Sequence, residues 1–317
     1  MFKILFFTIS GVFLMMLPGG LLMRRNIIRP EGLKDISKLL VCAIYPCLIF
    51  ASITRNFTLD GLLGAWPLPV SSMMIMVCGY VVGMLVCLFF KFKSDGTKHA
   101  FLFQCTINNY SFLPIAIVAE IFDAQAVAAL IFSTLGAEIA VWTIGVFILT
   151  GHKFEKDSLK HLLSPPLIAL YAALVWLAVF YFTGTDTSVY TANNSLLYYI
   201  HNTTELIGRA TIPLAMIIAG ARLANMPLGN IRSGSVWLVT GLRLIAIPLI
   251  AAALIKLMPL TGQQQGVMMV VAVMPVSLAS SMLSEIYRTD DDLVNATVLM
   301  THLLGLLTIP LLLAFLL

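Results

Sequence analysis

Asn108-Asn109-Tyr110-Ser111-Phe112-Leu113-Pro114 interrupts an apolar segment, 98–121, that is otherwise long enough to cross a lipid bilayer. Two amides and a proline do not suit a continuous helix in hydrocarbon. A break at that depth is tolerated only where protein or a wet cavity satisfies the freed backbone groups. The second half of the chain carries a counterpart, Val273-Met274-Pro275-Val276-Ser277, inside the apolar segment 264–286. Upstream of each break lies another proline in an apolar run: Pro46 in Ala43-Ile44-Tyr45-Pro46-Cys47-Leu48-Ile49-Phe50, and Pro213 in Ala210-Thr211-Ile212-Pro213-Leu214-Ala215-Met216-Ile217. Pro114 follows Pro46 by 68 residues and Pro275 follows Pro213 by 62. Interrupted hydrophobic helices at matching places in two halves point to the binding site of a secondary transporter.

Composition agrees with this class. Of 317 residues, 60% are hydrophobic and 11% charged, with a mean hydropathy of +0.97. A soluble globule carries about 25% charged residues, so most of this surface must face lipid. Ten spans are expected, near 4–23, 36–54, 67–90, 98–121, 124–149, 165–183, 203–222, 235–257, 264–286 and 293–316. Each is long enough for a bilayer, and little chain is left for a soluble domain. The first span ends in Arg24-Arg25 without a small-residue cleavage site, so it reads as a retained helix. Cys42, Cys47, Cys78, Cys87 and Cys105 all lie in apolar segments and read as small buried hydrophobes. No metal site or cofactor is expected.

The basic residues set the orientation. Fourteen lysines and arginines fall in the odd-numbered loops, among them Arg24, Arg25, Lys91, Lys153, Lys156 and Arg222. Only Lys3, Arg55, Arg209 and Lys256 lie on the other side. The bias places the odd loops in the cytoplasm and both termini outside the cell membrane. Five spans per half force the second half to enter upside down. The expected organisation is therefore a first five-helix repeat, 1–150, a cytoplasmic linker, 151–164, and an inverted repeat, 165–317. The fold class is all-α integral membrane protein, with spans 4 and 9 broken and antiparallel.

In span 4, Gln104, Asn108, Asn109 and Ser111 place polar groups near mid-membrane, where uncompensated amides are costly. Asparagine offers acceptors and donors, suited to a carboxylate or a cation. The half-helix after the break points its positive end into the site, a resting place for an anion. Ser277, Ser280 and Ser281 add hydroxyls from span 9. The structural alternative is that these residues cap broken ends or hold helices together. Glu138 lies in the middle of span 5, where a carboxyl can carry a proton or help hold a sodium ion. His302 in span 10 occupies a comparable level and suits a proton relay; hydrogen bonding to its own helix is the simpler account. Arg243 is the basic residue inside a span, able to attract an anion, pair with Glu138 or snorkel to the interface. Glu205 and Arg209 fit a surface pair, and Asp290-Asp291-Asp292 a helix start. Asn56, Asn193 and Asn202 begin glycosylation triplets on the outer side.

Several of these stretches, taken in order, resemble the auxin efflux carrier family: span 2 with its central proline, Asn109-Tyr110-Ser111-Phe112, Arg243-Leu244-Ile245-Ala246-Ile247-Pro248, and the tail through Met274-Pro275, Ala279, Tyr287, Asp290 and Thr308-Ile309-Pro310. The resemblance covers nearly the whole chain and is closest to short bacterial-type members. It implies a ten-helix carrier with crossed broken helices 4 and 9, a fold shared with sodium/proton antiporters and bile-acid symporters, moving organic anions. The span-4 pattern departs from the family: Ser111 replaces a glycine, Pro114 takes a second glycine's place, and Ala116 stands where a proline is expected.

No HExxH, GxSxG or P-loop motif is present, which argues against an enzyme or an ATP-driven pump. The expected function is a secondary carrier for a small organic anion such as a carboxylate, with Pro46 and Pro213 bending spans 2 and 7 near the site. The alternatives are a sodium-coupled organic anion symporter of the bile-acid type, a channel, or a sensor that keeps the carrier fold. The expected partners are the anion, the lipid bilayer, a proton or sodium ion and a second copy in a homodimer, with no nucleic acid.

Overall fold

The computed structural model describes residues 2–151, 156–184, 196–227 and 230–317. Among them the regular structure is helical, apart from one isolated antiparallel bridge between Asn108 and Val276. Eight helical segments are long and apolar enough to cross a membrane: α1 Phe2–Arg24, α2 Pro30–Asn56, α3 Leu59–Phe89, α5 Ala124–Leu149, α6 Pro165–Thr183, α7 Leu196–Asn225, α8 Gly234–Ile255 and α10 Asp291–Leu316. Two more are each divided in the middle: α4 into Asp95–Thr106 and Phe112–Ile121, and α9 into Gly262–Ala272 and Ser280–Tyr287. Large apolar side chains such as Leu88, Val175 and Phe182 are exposed on the outer face, as a lipid-facing surface requires. Lys153 and Asn193 lie outside the described residues, as does the side chain of Lys156.

The prolines act where the sequence placed them. In α2 a π-helical turn, Leu40–Ile44, runs directly into the helix that contains Pro46. In α7 a turn at Arg209 and Ala210 is followed by Pro213 in the next helical turn. These two irregular places meet: Thr211 Oγ1 donates to the Ile44 carbonyl at 3.4 Å. Similar π-helical turns occur at Val141–Gly145 in α5 and at Leu242–Ala246 in α8, the latter just before Pro248. Such turns free carbonyls from the helical ladder and recur at functional places.

Two packing groups result. Helix α1 packs on α7, and α2 on both α6 and α7. The second group joins α3 to α4, α5 and α8, and α10 to α4 and α8. Glycine permits the closest approaches. A methyl group at Gly220 of α7 would lie 1.8 Å from the Met16 carbonyl oxygen of α1, and one at Gly136 of α5 would lie 1.8 Å from the Pro69 oxygen of α3. At these crossings the backbones touch directly, as small residues allow in membrane bundles.

Two expectations are corrected. Cys42 is exposed, and Cys47 and Cys87 are half-buried, so only Cys78 and Cys105 are the buried hydrophobes expected of all five. A thiol is as compatible with a lipid-facing surface as with a core, because both are apolar. Helix α7 begins at Leu196, seven residues before the expected start at 203. Within the added turns His201 is buried with Nε2 3.2 Å from Thr54 Oγ1, so α2 supplies a polar partner that lets the helix carry it.

Candidate functional site

The two divided helices meet at their breaks. The chain between the halves of α4 is extended from Ile107, and the Asn109 N–H donates to the Pro275 carbonyl of α9 at 2.8 Å. The Ser277 N–H donates back to the Ile107 carbonyl at 3.3 Å. This two-bond ladder satisfies backbone groups that the interrupted helices leave open. Pro114 is not the break itself. It lies in the first turn of Phe112–Ile121, where a missing N–H is tolerated because no helical carbonyl precedes it.

Side chains brace the junction from behind. Asn108 is fully buried and its amide donates to the Val271 carbonyl at 2.6 Å. Arg243 is also fully buried; Nε donates to the Met274 carbonyl and Nη1 to the Cys105 carbonyl, both at 3.2 Å. One guanidinium from α8 thus ties together the chain entering each break. It neither pairs with Glu138 nor reaches an interface. Ser280 Oγ donates to the Ser277 carbonyl at 2.5 Å. Gln104 donates to Thr297 Oγ1 at 2.7 Å and to the Val294 carbonyl at 3.2 Å, joining α4 to α10. His302 Nδ1 lies 2.8 Å from the Val298 carbonyl of its own helix.

In front of the junction is a cavity of about 260 Å³ between the two packing groups. Asn109, Ser111, Ser277 and Glu138 line it, so four of the candidate residues come together. Their neighbours are mostly apolar and include Met16, Leu40, Val41, Phe112, Leu113, Met216 and Met282. The Asn109 amide makes no hydrogen bond with the described residues and faces the cavity uncommitted. Ser111, Phe112 and Leu113 bring the start of the second half of α4 to the wall, while Leu278 and Ala279 do so just ahead of the second half of α9. Two positive helix ends therefore face the same space. Glu138 accepts from Tyr110 Oη at Oε1 and from Trp142 Nε1 at Oε2, each at 2.9 Å. Trp142 in turn stacks on His161 with ring centres 3.8 Å apart.

The remaining candidates sit elsewhere. Ser281 lines an adjoining cavity of about 270 Å³. Asn108, Pro114, Pro275, Ser280 and Arg243 shape the junction without lining either cavity, and Pro46, Pro213, Gln104 and His302 also lie off the lining. Spacing missed four polar groups on the wall: Ser37, Tyr45, Tyr110 and Arg222. Tyr45, directly before Pro46, accepts from Ser111 Oγ at 3.3 Å and was signalled only by its proline neighbour. Arg222 was counted as a loop charge, because it closes an apolar run at the basic end of α7.

Comparison with known proteins gives these features a family. A family described as membrane transport protein matches residues 4–158 and 152–313. An uncharacterized transporter of Methanocaldococcus jannaschii is 26% identical over 90% of each chain, and one of Methanothermobacter thermautotrophicus is 24% identical over 96% of each. Protein PIN-LIKES 5 of Arabidopsis thaliana is 20% identical over 88% of each. A multi-pass helical chain whose broken helices frame a cavity, matched along nearly its full length, belongs to the membrane transport protein family of the auxin efflux carriers and is a transporter, not an enzyme.

Proposed function

We propose that the protein is a secondary carrier that moves a small organic anion across the cell membrane by alternating access around the junction of α4 and α9. The observation that carries this reading is the uncommitted Asn109 amide beside two half-helix N-termini in a largely apolar cavity. Such a wall offers donors to one anionic group and a dry surface to an apolar body. A monocarboxylate with an aromatic or branched body matches that division.

The fold is read as ten spans in two inverted repeats, 1–150 and 165–317. Part of the packing supports it: exchanging α1 with α6, α2 with α7 and so on through α5 with α10 maps several observed neighbours onto observed neighbours, although α1–α10 and α2–α5 have no comparable counterpart. The α1–α7 contact corresponds to α6–α2, α3–α5 to α8–α10, and α4–α10 to α9–α5. The basic loops put both termini outside, and the two cavities then lie on the cytoplasmic side. On this reading α1, α2, α6 and α7 form one body and the remaining helices move against it.

Glu138 is the coupling candidate, because it lines the same cavity and both its oxygens are held by donors. Uptake of radiolabelled benzoate, phenylacetate, malonate and malate into proteoliposomes tests the proposal, with pH and sodium gradients varied separately. Saturable uptake of at least one is expected, and Glu138→Gln should remove its response to the driving gradient. Flux that rises linearly with concentration and shows no exchange would identify a channel instead.

A further inference from the structure

The central cavity and the adjoining one share a neck made by Ser37 of α2 and Arg222 of α7, together with Leu278 and Met282 of α9. Arg222 Nη2 donates to Ser37 Oγ at 3.1 Å, and Ser37 itself donates to the Leu33 carbonyl at 2.7 Å. Arg222 is half-buried and has no carboxylate within ion-pair distance among the described residues. A guanidinium carries five N–H donors in a rigid fork shaped for a carboxylate. Here a neutral hydroxyl engages one of its nitrogens, and the rest of the fork borders two cavities. The adjoining cavity reaches exposed residues, Pro30 and Lys34, at the basic end of the bundle. Its wall also carries one carboxylate, Glu285.

Resting on the carrier reading above, we infer that the adjoining cavity is an entrance subsite for the anion and that Arg222 is its specificity-determining residue. The guanidinium takes the carboxylate as a bidentate pair at the neck and passes it to Asn109 at the junction. Ser37 is a placeholder that keeps the fork pointed across the neck while no anion is bound. A half-buried cation held by a single hydroxyl is incompletely compensated, so an arriving carboxylate gains a charge-assisted pair without displacing an existing ion pair. Asn109 alone could not separate an anion from its neutral amide, because an asparagine side chain pairs with both. Arg222 supplies that discrimination.

The test is concentration-dependent uptake of labelled benzoate into proteoliposomes, with benzamide as neutral competitor, for wild type, Arg222→Gln, Arg222→Lys and Ser37→Ala. Arg222→Gln should raise the half-saturating benzoate concentration at least tenfold and bring benzamide competition level with benzoate. Arg222→Lys should recover part of the loss, since it keeps the charge without the fork. Ser37→Ala can shift half-saturation, since it frees the aim of the fork, but it should keep the preference for benzoate over benzamide because the guanidinium remains. If Arg222 were merely a strut between α2 and α7, Ser37→Ala would lose that preference as Arg222→Gln does, and that result overturns the inference. Half-saturation in Arg222→Gln within threefold of wild type also overturns it, leaving the carrier reading intact. Absence of saturable uptake by wild type for benzoate and the other three acids defeats the carrier reading and this inference with it. Labelling with phenylglyoxal gives a separate check: wild-type Arg222 should be modified, and saturating benzoate should protect it.

Discussion

Replacing Asn109 and Asn108 one at a time separates recognition from architecture at adjacent positions. The Asn109 side chain makes no hydrogen bond with the described residues, and its backbone N–H bond to Pro275 does not need the amide. Asn109→Ala should therefore leave the junction folded. The loss falls on the ligand: a hydrogen bond to a charged group contributes about 1.5–3 kcal/mol. At about 1.4 kcal/mol per tenfold, affinity should drop roughly 10- to 150-fold. Asn108→Ala does the reverse. It removes the 2.6 Å bond that Asn108 donates to the Val271 carbonyl in a fully buried place, leaving that carbonyl only the 3.3 Å bond from the Met274 N–H. That costs about 0.5–1.5 kcal/mol of stability and should lower the unfolding temperature in detergent. Uptake into proteoliposomes reads the first effect and thermal unfolding the second. If Asn109→Ala lost stability as Asn108→Ala does while keeping wild-type half-saturation, the assignment of Asn109 to the ligand would be wrong.

Three further outcomes follow from the packing. Gly220→Ala places a methyl group 1.8 Å from the Met16 oxygen and should sharply reduce the yield of folded protein, whereas Gly241→Ala, with nothing within 4 Å, should express normally. Arg243→Lys should abolish transport although it keeps the charge, because one ammonium cannot serve the Met274 and Cys105 carbonyls as the guanidinium does; normal uptake by this variant would show that the strut is dispensable. At the start of α5, the Ala126 N–H donates to Asp123 and, with smaller contributions from Gln263 and nearby backbone, holds its carboxyl below the ordinary carboxylate range. A lowered folded value means stabilisation present above the unfolded value and lost as pH falls through the folded one. The melting-temperature advantage of wild type over Asp123→Ala should thus be constant near neutrality and vanish in acid, below roughly pH 4.

The class of fold was legible because lipid imposes length and apolarity on every span, and the breaks were legible because proline and adjacent amides stand out against that background. What spacing did not show was which side of each break faces the cavity. Asn108 and Asn109 are indistinguishable as letters, yet the extended backbone between the halves of α4 turns one toward Val271 and the other toward the cavity. Arg243 stood out as a charge inside a span, but its role depends on two carbonyls, 31 and 138 residues away, that only the folded chain brings together. Arg222 was masked by its position: at the end of an apolar run it reads as an interfacial charge, and only the approach of α2 and α9 encloses it. Pro114 was the clearest letter in its segment, but the chain unwinds before it, from Ile107 to Ser111.

The claim on which all this rests is that the unwound stretches of α4 and α9 lie side by side in the membrane. Asn108 and Val276 form a non-hydrogen-bonded antiparallel pair between the two bonds of the ladder. Such pairs hold Cα atoms about 4.5 Å apart, within the range a disulfide spans. Asn108→Cys with Val276→Cys, in a chain whose five native cysteines are replaced and a protease site follows Gly151, should form a disulfide on oxidation in native membranes. The two cleaved halves should then migrate together until reduced. Halves that separate under oxidising conditions, in protein that is correctly inserted, would contradict the account.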